Sequence, residues 1–564
     1  MRTDHPTIVL KFGGSVLLSL DRLRVAVHEI YRWRRDGYRV VAVVSALTGR
    51  TEELIKLTDT HCLNATPAIK ASLIAQGEQE SAALLGVLLD RAGIPCSVLG
   101  AASIGLRVHG HPLDANPIGL NRDAINSALD RDGVVVIPGF VGIDSTGQTN
   151  TLGRGGSDLT AVFIAHQIGA EVCRMIKDVD GLYVADPAKC DPPPARYRYA
   201  NYKDAHATDG SIVQFKAIEY AKRHGIEFQL GSFNCTAPTT VGAGRSVISQ
   251  PIASITPARV LVCGLGSVGA GVIELLRQLP DEFEIVGGIC RHPAKYAELD
   301  IELFDSPSAV EEIDSDLVIE LIGGVETAAR IVRSAICSGK HVITANKALI
   351  AEQGEELRSL ADEHGVRLLF SASVGGGVPI LEWAQHIRPA VVRGVLNGTS
   401  NFVLGQLADG QDVAYSISRA KELGFAEADP SRDLDGRDAL DKLIVIAQTL
   451  GCDRDLDQQH EGILDALRTT IVTRCTKQVG LLTHGKARVA IQETLSGSVF
   501  ADLENEWNAV ELTTPDGENL TLRGRGAGRW PTSESVLGDA LELRRFIESD
   551  VQSQEEESHV CVSN

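Results

Sequence analysis

The chain has 564 residues, of which 44% are hydrophobic, and a formal net charge of −20. This length predicts several compact units, and the acidic charge argues against nucleic acids and anionic membranes as partners. The eleven cysteines are scattered, which favours reduced thiols over a disulfide framework or a zinc site. The sequence contains no signal-peptide core and no apolar run of about 18 residues, so a soluble, cytoplasmic protein is expected.

Two segments begin in the same way, with an apolar strand that runs into glycines. They are TIVLKFGGSVL at 7–17 and ARVLVCGLGSVGAGVIELL at 258–276. After each of them, short apolar runs alternate with helical patterns, an order that predicts α/β folds with parallel sheets. The stretch 242–258 is rich in small residues and contains proline, which predicts a linker between two enzyme-sized halves. The acidic, polar end of the chain predicts a disordered tail.

The first half continues with an ordered series of motifs. They are VVSALTGRTEEL (43–54), GE (77–78), PGFVG (138–142), TLGRGGSD (151–158) and KDVDGLYVADP (177–187). Glycine-rich turns bring backbone amides onto phosphate oxygens, and Lys11 is suited to neutralising charge on a transferring phosphoryl group. Over about 7–249 this series resembles the catalytic domain of aspartate kinases, within the amino-acid kinase superfamily. The resemblance implies a three-layer α/β domain that transfers phosphate from ATP, with Mg²⁺, to L-aspartate, giving 4-phospho-L-aspartate.

By this resemblance, Arg154 would hold the α-carboxylate of aspartate. The other residues of the aspartate, phosphate and nucleotide sites would be Lys11, Gly13, Gly14, Ser45, Glu78, Phe140, Gly156, Ser157, Asp158, Asp178 and Tyr183. The chain departs from the family at the nucleotide end, because Ala188 and Ile212 stand where the family has cationic side chains. The opening turn KFGGSV is also one residue shorter than the family's. An inactive kinase module attached to a dehydrogenase is therefore the alternative to an active kinase.

The second half begins with a GxGxxG element at 264–269, between an apolar strand and a helical pattern. Gly264 permits the tight turn, Gly266 lets a pyrophosphate approach the backbone, and Gly269 allows close packing of the helix. The next strand ends at Arg291 rather than at an acidic residue. Arginine binds a 2′-phosphate, so this Rossmann domain is expected to take NADP in preference to NAD.

A run of opposed charges, GFAEADPSRDLDGRDALDKL, occupies residues 424–443. Asp433 stands where it is able to cap a following helix, and the pattern predicts that this helix begins at Arg437. Asp438 and Lys442 are four residues apart and are therefore neighbours on one helix face. The alternatives are a solvated surface helix and a site in which a carboxylate holds a lysine that binds an amino acid and moves a proton.

The second half resembles homoserine dehydrogenases over about 258–545. The resemblance rests on the segment 420–442 and on ELIGG (320–324), TANKALIA (344–351), SVGGGVPIL (373–381), NGTSNFVL (397–404) and GRGAGRWPTSESVLGD (524–539). It implies reversible reduction of L-aspartate 4-semialdehyde to L-homoserine with a nicotinamide cofactor. It also implies a Rossmann domain followed by an α+β catalytic and dimerisation domain, so a homodimer or a homotetramer is expected. A nucleotide sensor without catalysis is the binding-class alternative.

By the same resemblance, Lys442 would donate the proton to the carbonyl oxygen, Asp438 would orient that lysine, and Lys347 would assist beside the nicotinamide. Glu427 would bind the amino group of the substrate, with Asp433 nearby. The cofactor would contact Gly264, Leu265, Gly266, Val268, Gly269, Arg291, Lys347 and Gly526.

A monovalent cation site is also implied. The backbone carbonyls of Val374 and Gly376 would bind Na⁺ or K⁺, more weakly than in the family because Ser371 stands where the family usually has glutamate.

These observations predict a linear order of domains. The order is a kinase-like domain (1–249), a linker (250–257), a Rossmann domain (258–385), a catalytic and dimerisation domain (386–525), a C-terminal return to the nucleotide domain (526–546) and a disordered tail (547–564). Larger bifunctional relatives carry regulatory ACT domains between their two enzymes. Here the first half runs almost directly into the Rossmann strand, so a short form without those domains is expected.

Overall fold

The computed structural model describes residues 5–208, 212–250, 256–426, 429–452, 455–468 and 470–562, with side chains up to residue 548. The chain divides into two compact units, 1–90 with 95–254 and 91–94 with 255–564. Residues 251–255 of the predicted linker lie outside the described residues. Among the described helices, none has both the length and the apolar character that crossing a membrane requires.

The first unit alternates strands with helices. Its strands are β1 (Thr7–Phe12), β2 (Arg39–Val44), β3 (Ser97–Val98), β4 (Arg107–His111), β5 (Asp114–Gly119), β6 (Val134–Pro138), β7 (Val141–Ile143), β8 (Thr149–Thr151), β9 (Val172–Ile176), β10 (Arg196–Asn201), β11 (Phe228–Gly231), β12 (Thr239–Gly242) and β13 (Val247–Ser249). Its helices are α1 (Leu20–Arg35), α2 (Arg50–His61), α3 (Pro67–Ile74), α4 (Gln76–Arg91), α5 (Arg122–Asp132), α6 (Gly156–Ile168), α7 (Tyr202–Ala207) and α8 (Phe215–His224).

The main sheet of this unit has the order β13-β10-β12-β11-β9-β1-β2-β6-β3, and a smaller sheet has the order β5-β4-β7-β8. The neighbours β9, β1, β2 and β6 all run parallel. Both β1 and β2 are apolar almost throughout and nearly every residue in them is buried, as expected for central strands that are covered on both faces. The predicted α/β fold with a parallel sheet is confirmed.

The second unit contains two sheets and their helices. Its strands are β14 (Ala258–Cys263), β15 (Phe283–Ile289), β16 (Leu303–Phe304), β17 (Leu317–Glu320), β18 (His341–Thr344), β19 (Leu368–Leu369), β20 (Val391–Val395), β21 (Asp457–His460), β22 (Thr476–Thr483), β23 (Lys486–Glu493), β24 (Trp507–Thr513) and β25 (Asn519–Arg525). Its helices are α9 (Ser267–Leu276), α10 (Ala309–Glu312), α11 (Glu326–Cys337), α12 (Lys347–Glu363), α13 (Ile380–Ile387), α14 (Gly398–Ala408), α15 (Val413–Glu422), α16 (Ser431–Leu434), α17 (Arg437–Thr449), α18 (Ile463–Ala466) and α19 (Arg529–Val562).

The first sheet of this unit is parallel, with the order β16-β15-β14-β17-β18-β19. This is the strand order of a dinucleotide-binding Rossmann fold, and the order reverses between β14 and β17. The second sheet, β21-β23-β22-β20-β24-β25, is antiparallel except for the pair β21 and β23. The predicted combination of a Rossmann fold with an α+β part is confirmed.

The last helix returns to the Rossmann sheet. The Ser533 hydroxyl of α19 donates to the Val268 carbonyl of α9 at 3.1 Å, and Arg529 forms an ion pair with Glu274 at 3.1 Å. The backbone of α19 is helical as far as Val562. The sequence, in contrast, predicts a disordered tail from residue 547. The run QSQEEE at 552–557 is rich in glutamate and glutamine, which have good helix propensity, and this is consistent with continuation of the helix.

The turn between β14 and α9 requires glycine at two of its positions. Gly264 has φ +98°, and a Cβ there would lie 2.6 Å from the carbonyl carbon of Leu321. A Cβ on Gly269 would overlap the Gly264 carbonyl oxygen, whereas a Cβ on Gly266 would meet no atom within 4 Å. Gly264 and Gly269 are therefore required by the fold, and Gly266 faces open space beside the helix N-terminus.

Gly269→Ala is expected to lower the free energy of unfolding of the second unit by about 1–3 kcal/mol, because the added methyl group has no room. Thermal unfolding measures the effect. Gly266→Ala is the matched control, since its methyl group enters open space and its φ of −65° suits alanine. Equal unfolding midpoints for the two variants would contradict the proposed difference between the glycines.

Candidate active sites

In the second unit, one buried carboxylate joins two lysines. Asp438, in the first turn of α17, lies 2.9 Å from the Lys442 ammonium and 2.8 Å from that of Lys347. Burial acts to raise the pKa of Asp438, but the two ammonium groups outweigh it and hold the pKa of this carboxyl well below its usual range. The helix begins at Arg437, as the sequence predicts, and brings Asp438 and Lys442 together on one face.

Lys442 has a partly satisfied ammonium group. It is 7% exposed, and besides Asp438 it donates to the Leu396 carbonyl at 2.6 Å. Asn508 donates to the same carbonyl at 2.9 Å. An ammonium group has three N–H donors, and two of those of Lys442 have partners among the described residues. The third is available for an oxygen atom of a ligand.

Asn397 is a functional candidate that the sequence analysis did not single out. Its side-chain amide donates to Asp438 and to Asp433, both at 2.7 Å, while its oxygen caps α14 by accepting from the Ser400 amide. The signal was present, because asparagine before a helical run is a common N-cap. Its amide fixes the two carboxylates at a set separation.

The cap predicted for Asp433 is wrong. Gly436, with φ +87°, precedes α17, and Asp433 lies in the short helix α16 with its carboxylate on Asn397. Burial, and then the charge of Asp438, raise the pKa of Asp433. Glu427, the predicted ligand of the substrate amino group, lies outside the described residues.

Lys347 links this carboxylate cluster to the Rossmann sheet. It begins α12 directly after Asn346, whose side chain caps the helix and donates to the Gly324 carbonyl at 2.5 Å. Attraction to Asp438 raises the pKa of Lys347. The loop 321–324 that contains Gly324 follows β17 and touches the turn at Gly264. The glycine turn and the lysine cluster are thus connected through one loop.

Glu320, at the end of β17, holds that loop and was not selected from the sequence. It is fully buried, and its carboxylate accepts from the Ile322 amide at 2.7 Å and from the Thr344 hydroxyl at 2.6 Å. Burial raises the pKa of Glu320. The ELIGG motif contained this residue, but only the fold reveals which groups it binds.

The remaining residues predicted in the second unit lie as follows. Arg291 is exposed two residues beyond the end of β15 and forms no ion pair with another described residue. Gly526 packs against the side chain of Asn508, which leaves no room for a Cβ. Val374 is buried, and Gly376, with φ +53°, packs against the backbone at Gly526. Leu265 and Val268 lie within the glycine turn and the start of α9.

The proposed cation site at Val374 and Gly376 stays a prediction. Within the described residues, no cluster of histidine, cysteine, aspartate or glutamate is arranged to hold a metal ion. The Ser371 amide donates to the Asp539 carboxylate at 3.0 Å, which ties this loop to α19.

In the first unit, four neighbouring parallel strands end at one edge, and each is followed by predicted residues. Gly13 and Gly14 follow β1, Ser45 follows β2, Phe140 follows β6, and Asp178 follows β9 by two residues. The carboxyl ends of parallel strands are the usual place for ligands in α/β folds. Phe140 has φ +68°, and its amide donates to the Thr160 hydroxyl at 3.0 Å, so the surrounding structure holds an unfavourable conformation at this edge.

A second carboxylate that bridges two lysines lies at this edge. Asp158, near the start of α6, is 2.5 Å from the Lys11 ammonium and 3.3 Å from that of Lys177. Burial opposes its ionisation, but the two ammonium groups keep the pKa of Asp158 low, at about 2. Burial lowers the pKa of Lys11 to about 8. Gly13 leaves room for Lys11, because a Cβ there would lie 3.1 Å from the ammonium nitrogen.

Glu78 is 4% exposed near the start of α4, and its Oε2 atom has no hydrogen-bond partner within the part of the chain that the structure describes. Burial raises the pKa of Glu78 to about 7. A buried carboxylate oxygen without a partner is unusual, because such a group loses its hydration without compensation. The arrangement suits a ligand that supplies a donor or a positive charge.

The other predicted residues of the first unit are less closely connected. Gly156 and Ser157 begin α6 beside Asp158, whereas Arg154 and Asp178 are exposed. Tyr183 donates to Asp180 at 2.8 Å, and burial raises the pKa of Tyr183 to about 12.

The residues that depart from the family pattern have structural surroundings of their own. Ile212 packs against the apolar core, and Ala188 lies in the 3₁₀ turn Pro187–Lys189.

Three family models match the chain. Residues 6–232 match the amino acid kinase family, 264–371 match the homoserine dehydrogenase NAD-binding domain, and 383–541 match homoserine dehydrogenase. These matches agree with the two units and with the Rossmann strand order.

Individual relatives divide in the same way. A homoserine dehydrogenase of Synechocystis sp. is 32% identical over 322 residues, which cover 52% of this chain and 74% of that protein. An aspartokinase of Thermus thermophilus is 35% identical over 240 residues, which cover 42% of this chain and 58% of that protein. A crystal structure of a homoserine dehydrogenase from Thiobacillus denitrificans covers 52% of this chain and 75% of that one, with 32% identity and a TM-score of 0.48.

The matches favour an oxidoreductase that is fused to an aspartokinase-like domain. They favour it over the alternative, a dehydrogenase that carries an inactive kinase module. The chain therefore belongs to the homoserine dehydrogenase family and carries an amino acid kinase domain in its first half.

Proposed function

We propose that the second unit catalyses the reversible reduction of L-aspartate 4-semialdehyde to L-homoserine. The observation that carries this proposal is the Lys442 ammonium group, which is buried, held by Asp438 and the Leu396 carbonyl, and left with one free donor among the described residues. That donor is suited to the aldehyde oxygen, on which negative charge develops as hydride arrives. Bound NADPH would supply the hydride.

The neighbouring side chains prepare Lys442 for this role. Asp438 stabilises the charged form of the lysine and orients it, and Asn397 fixes Asp438 in turn. In reduction Lys442 gives its proton to the carbonyl oxygen, and in oxidation it accepts the proton of the homoserine hydroxyl. Asp433, and Glu427 by resemblance to the family, would bind the substrate ammonium group.

The cofactor proposed for this unit is NADP. The open space at Gly266 and the start of α9 suit a pyrophosphate, because helix N-termini favour anions. The exposed Arg291 after β15 suits the 2′-phosphate. A monovalent cation at Val374 and Gly376, assembly as a homodimer or homotetramer, and a cytoplasmic location remain predictions from the sequence.

For the first unit we propose ATP-dependent phosphorylation of L-aspartate, with Mg²⁺. The γ-phosphoryl group moves to a side-chain carboxylate oxygen of aspartate, the bond to the β-phosphate oxygen breaks, and ADP leaves without a net proton change. Lys11, beside the glycine turn, would neutralise charge on the transferring group. Glu78 and Arg154 would bind the amino and carboxylate groups of aspartate.

ATP-dependent formation of aspartyl hydroxamate by the full chain tests this assignment.

Lys442→Met is expected to lower homoserine oxidation by about a hundred- to ten-thousandfold, as the loss of a general acid or base does. NADP binding should stay nearly unchanged, and Asp438 keeps Lys347 as its partner. Steady-state rates and calorimetric NADP binding measure the two effects. Lys486→Met, at an exposed lysine of β23, is the matched control. Turnover within a few fold of wild type would refute the assignment of Lys442.

Arg291→Ala is expected to weaken use of NADPH far more than use of NADH. Only NADPH carries the 2′-phosphate, and the lost charge-assisted contact is worth about 1.5–3 kcal/mol, or roughly ten- to a hundredfold in KM. NADH serves as the internal control in the same preparation. An equal change in both KM values would show that Arg291 does not contact the 2′-phosphate.

Glu78→Gln is expected to stabilise the first unit at pH 8. The folded pKa of Glu78, at about 7, exceeds the ordinary value of 4.5, so the folded state binds more protons between these values and its stability falls as pH rises through the window. The free energy of unfolding of the variant should exceed that of wild type by about 1–3 kcal/mol at pH 8 and should equal it near pH 4.5. Denaturant unfolding across this range is the measurement, with the exposed Glu52→Gln as control. A gain that does not depend on pH would contradict the shifted pKa.

A further inference from the structure

Lys177 is a buried lysine that the sequence analysis assigned to no site. It is 9% exposed, and its ammonium nitrogen lies 3.3 Å from each carboxylate oxygen of Asp158. The same carboxylate is 2.5 Å from Lys11. The resemblance to kinases accounts for Lys11 and Asp158 but not for the second lysine.

The fold explains why the two lysines meet. Strand β9 lies beside β1 in parallel, with Met175 opposite Lys11. Lys177 therefore follows just beyond the end of β9, next to the turn that begins at Gly13. Its backbone amide donates to the Gly231 carbonyl of β11 at 2.9 Å, which fixes the chain at this point. Both side chains thus reach Asp158 from adjacent strand ends at the ligand-binding edge of the sheet.

The charges of Lys11, Lys177 and Asp158 do not cancel, and the Glu78 carboxyl, which also interacts with Lys11, is protonated below its pKa of about 7. Two ammonium groups share one carboxylate, so Lys11, Lys177 and Asp158 together carry one net positive charge in a buried place. An uncompensated buried charge is unfavourable unless a partner neutralises it. The charge of Lys177 also contributes, after burial, to the lowered pKa of Lys11. An anion at this edge would remove the imbalance.

Two positions at which the resemblance to aspartate kinases implies cationic side chains carry uncharged ones in this chain. Ala188 cannot bind an anion through its side chain, and Ile212 packs against the apolar core. We propose that Lys177 is the second phosphate-binding cation of the first unit and contacts the polyphosphate of ATP together with Lys11. The proposal rests on the kinase function proposed above. Lys177 neutralises phosphate charge and exchanges no proton, and the bonds that form and break are those of phosphoryl transfer.

The test compares the wild-type chain with Lys177→Met and with Lys222→Met, at an exposed lysine of α8. Calorimetry measures binding of MgATP, the hydroxamate assay gives kcat and both KM values, and thermal unfolding gives the midpoint of the first unit. Homoserine oxidation by the same preparations checks the second unit. Lys177→Arg, which keeps the charge, is measured alongside.

The expected result is specific to MgATP. Lys177→Met should bind MgATP about 10- to 100-fold more weakly, the range for losing one charge-assisted contact, while the KM for aspartate stays within about twofold. Its unfolding midpoint should not fall, because the substitution removes the excess charge. Lys222→Met should match wild type, and Lys177→Arg should bind MgATP better than Lys177→Met.

Two results for Lys177→Met would overturn the proposal. Unchanged MgATP affinity would show that the lysine does not contact phosphate. A lowered unfolding midpoint, or failure to fold, would show that Lys177 is a structural partner of Asp158 and contradict the charge argument. A wild type that neither binds MgATP nor forms hydroxamate would overturn the kinase function itself, and this proposal with it.

Discussion

The site of the second unit depends on one ion cluster, in which the Asp438 carboxylate is shared by Lys347 and Lys442. Lys347 is the first residue of α12, and the positive end of a helix dipole disfavours a cation there. Lys442 is buried, where an unpaired ammonium group is costly. Removing Asp438 would leave both without their counter-ion, and breaking a buried pair in this way typically costs about 3–5 kcal/mol. The geometry of the lysines is therefore set by a carboxylate that takes no part in proton transfer.

The first unit uses the same arrangement on a different sheet. Asp158 lies in the first turn of α6 and Asp438 in the first turn of α17, where the helix dipole favours a negative charge. In the first unit Lys11 lies directly beside the glycine turn at Gly13. In the second unit Lys347 is connected to the glycine turn at Gly264 through Asn346 and the loop after β17. A carboxylate that is fixed in this way holds two cations in place before any ligand arrives, which reduces the reorganisation needed during reaction.

The sequence was sufficient for the fold class and for contacts that are local along the chain. The pairing of Asp438 with Lys442 follows from helix periodicity, and the roles of Gly264 and Gly269 follow from the turn that joins a strand to a helix. The contacts of Lys177, Asn397 and Glu320 did not follow, because each depends on which strands or helices are neighbours in space. The cap predicted for Asp433 failed for a related reason: Gly436 takes the turn before α17, and Asn397, distant in sequence, binds the carboxylate instead.

The contact between α19 and α9 joins two segments that are far apart in the chain, since Ser533 and Val268 are separated by 265 residues. During synthesis, α9 and the glycine turn emerge long before the helix that packs against them. Contacts of such high sequence separation slow folding, because the intervening chain must be ordered before they form. The contact between α9 and α19 thus forms only after α19 has left the ribosome, so the packing of α9 is completed late in the synthesis of the second half.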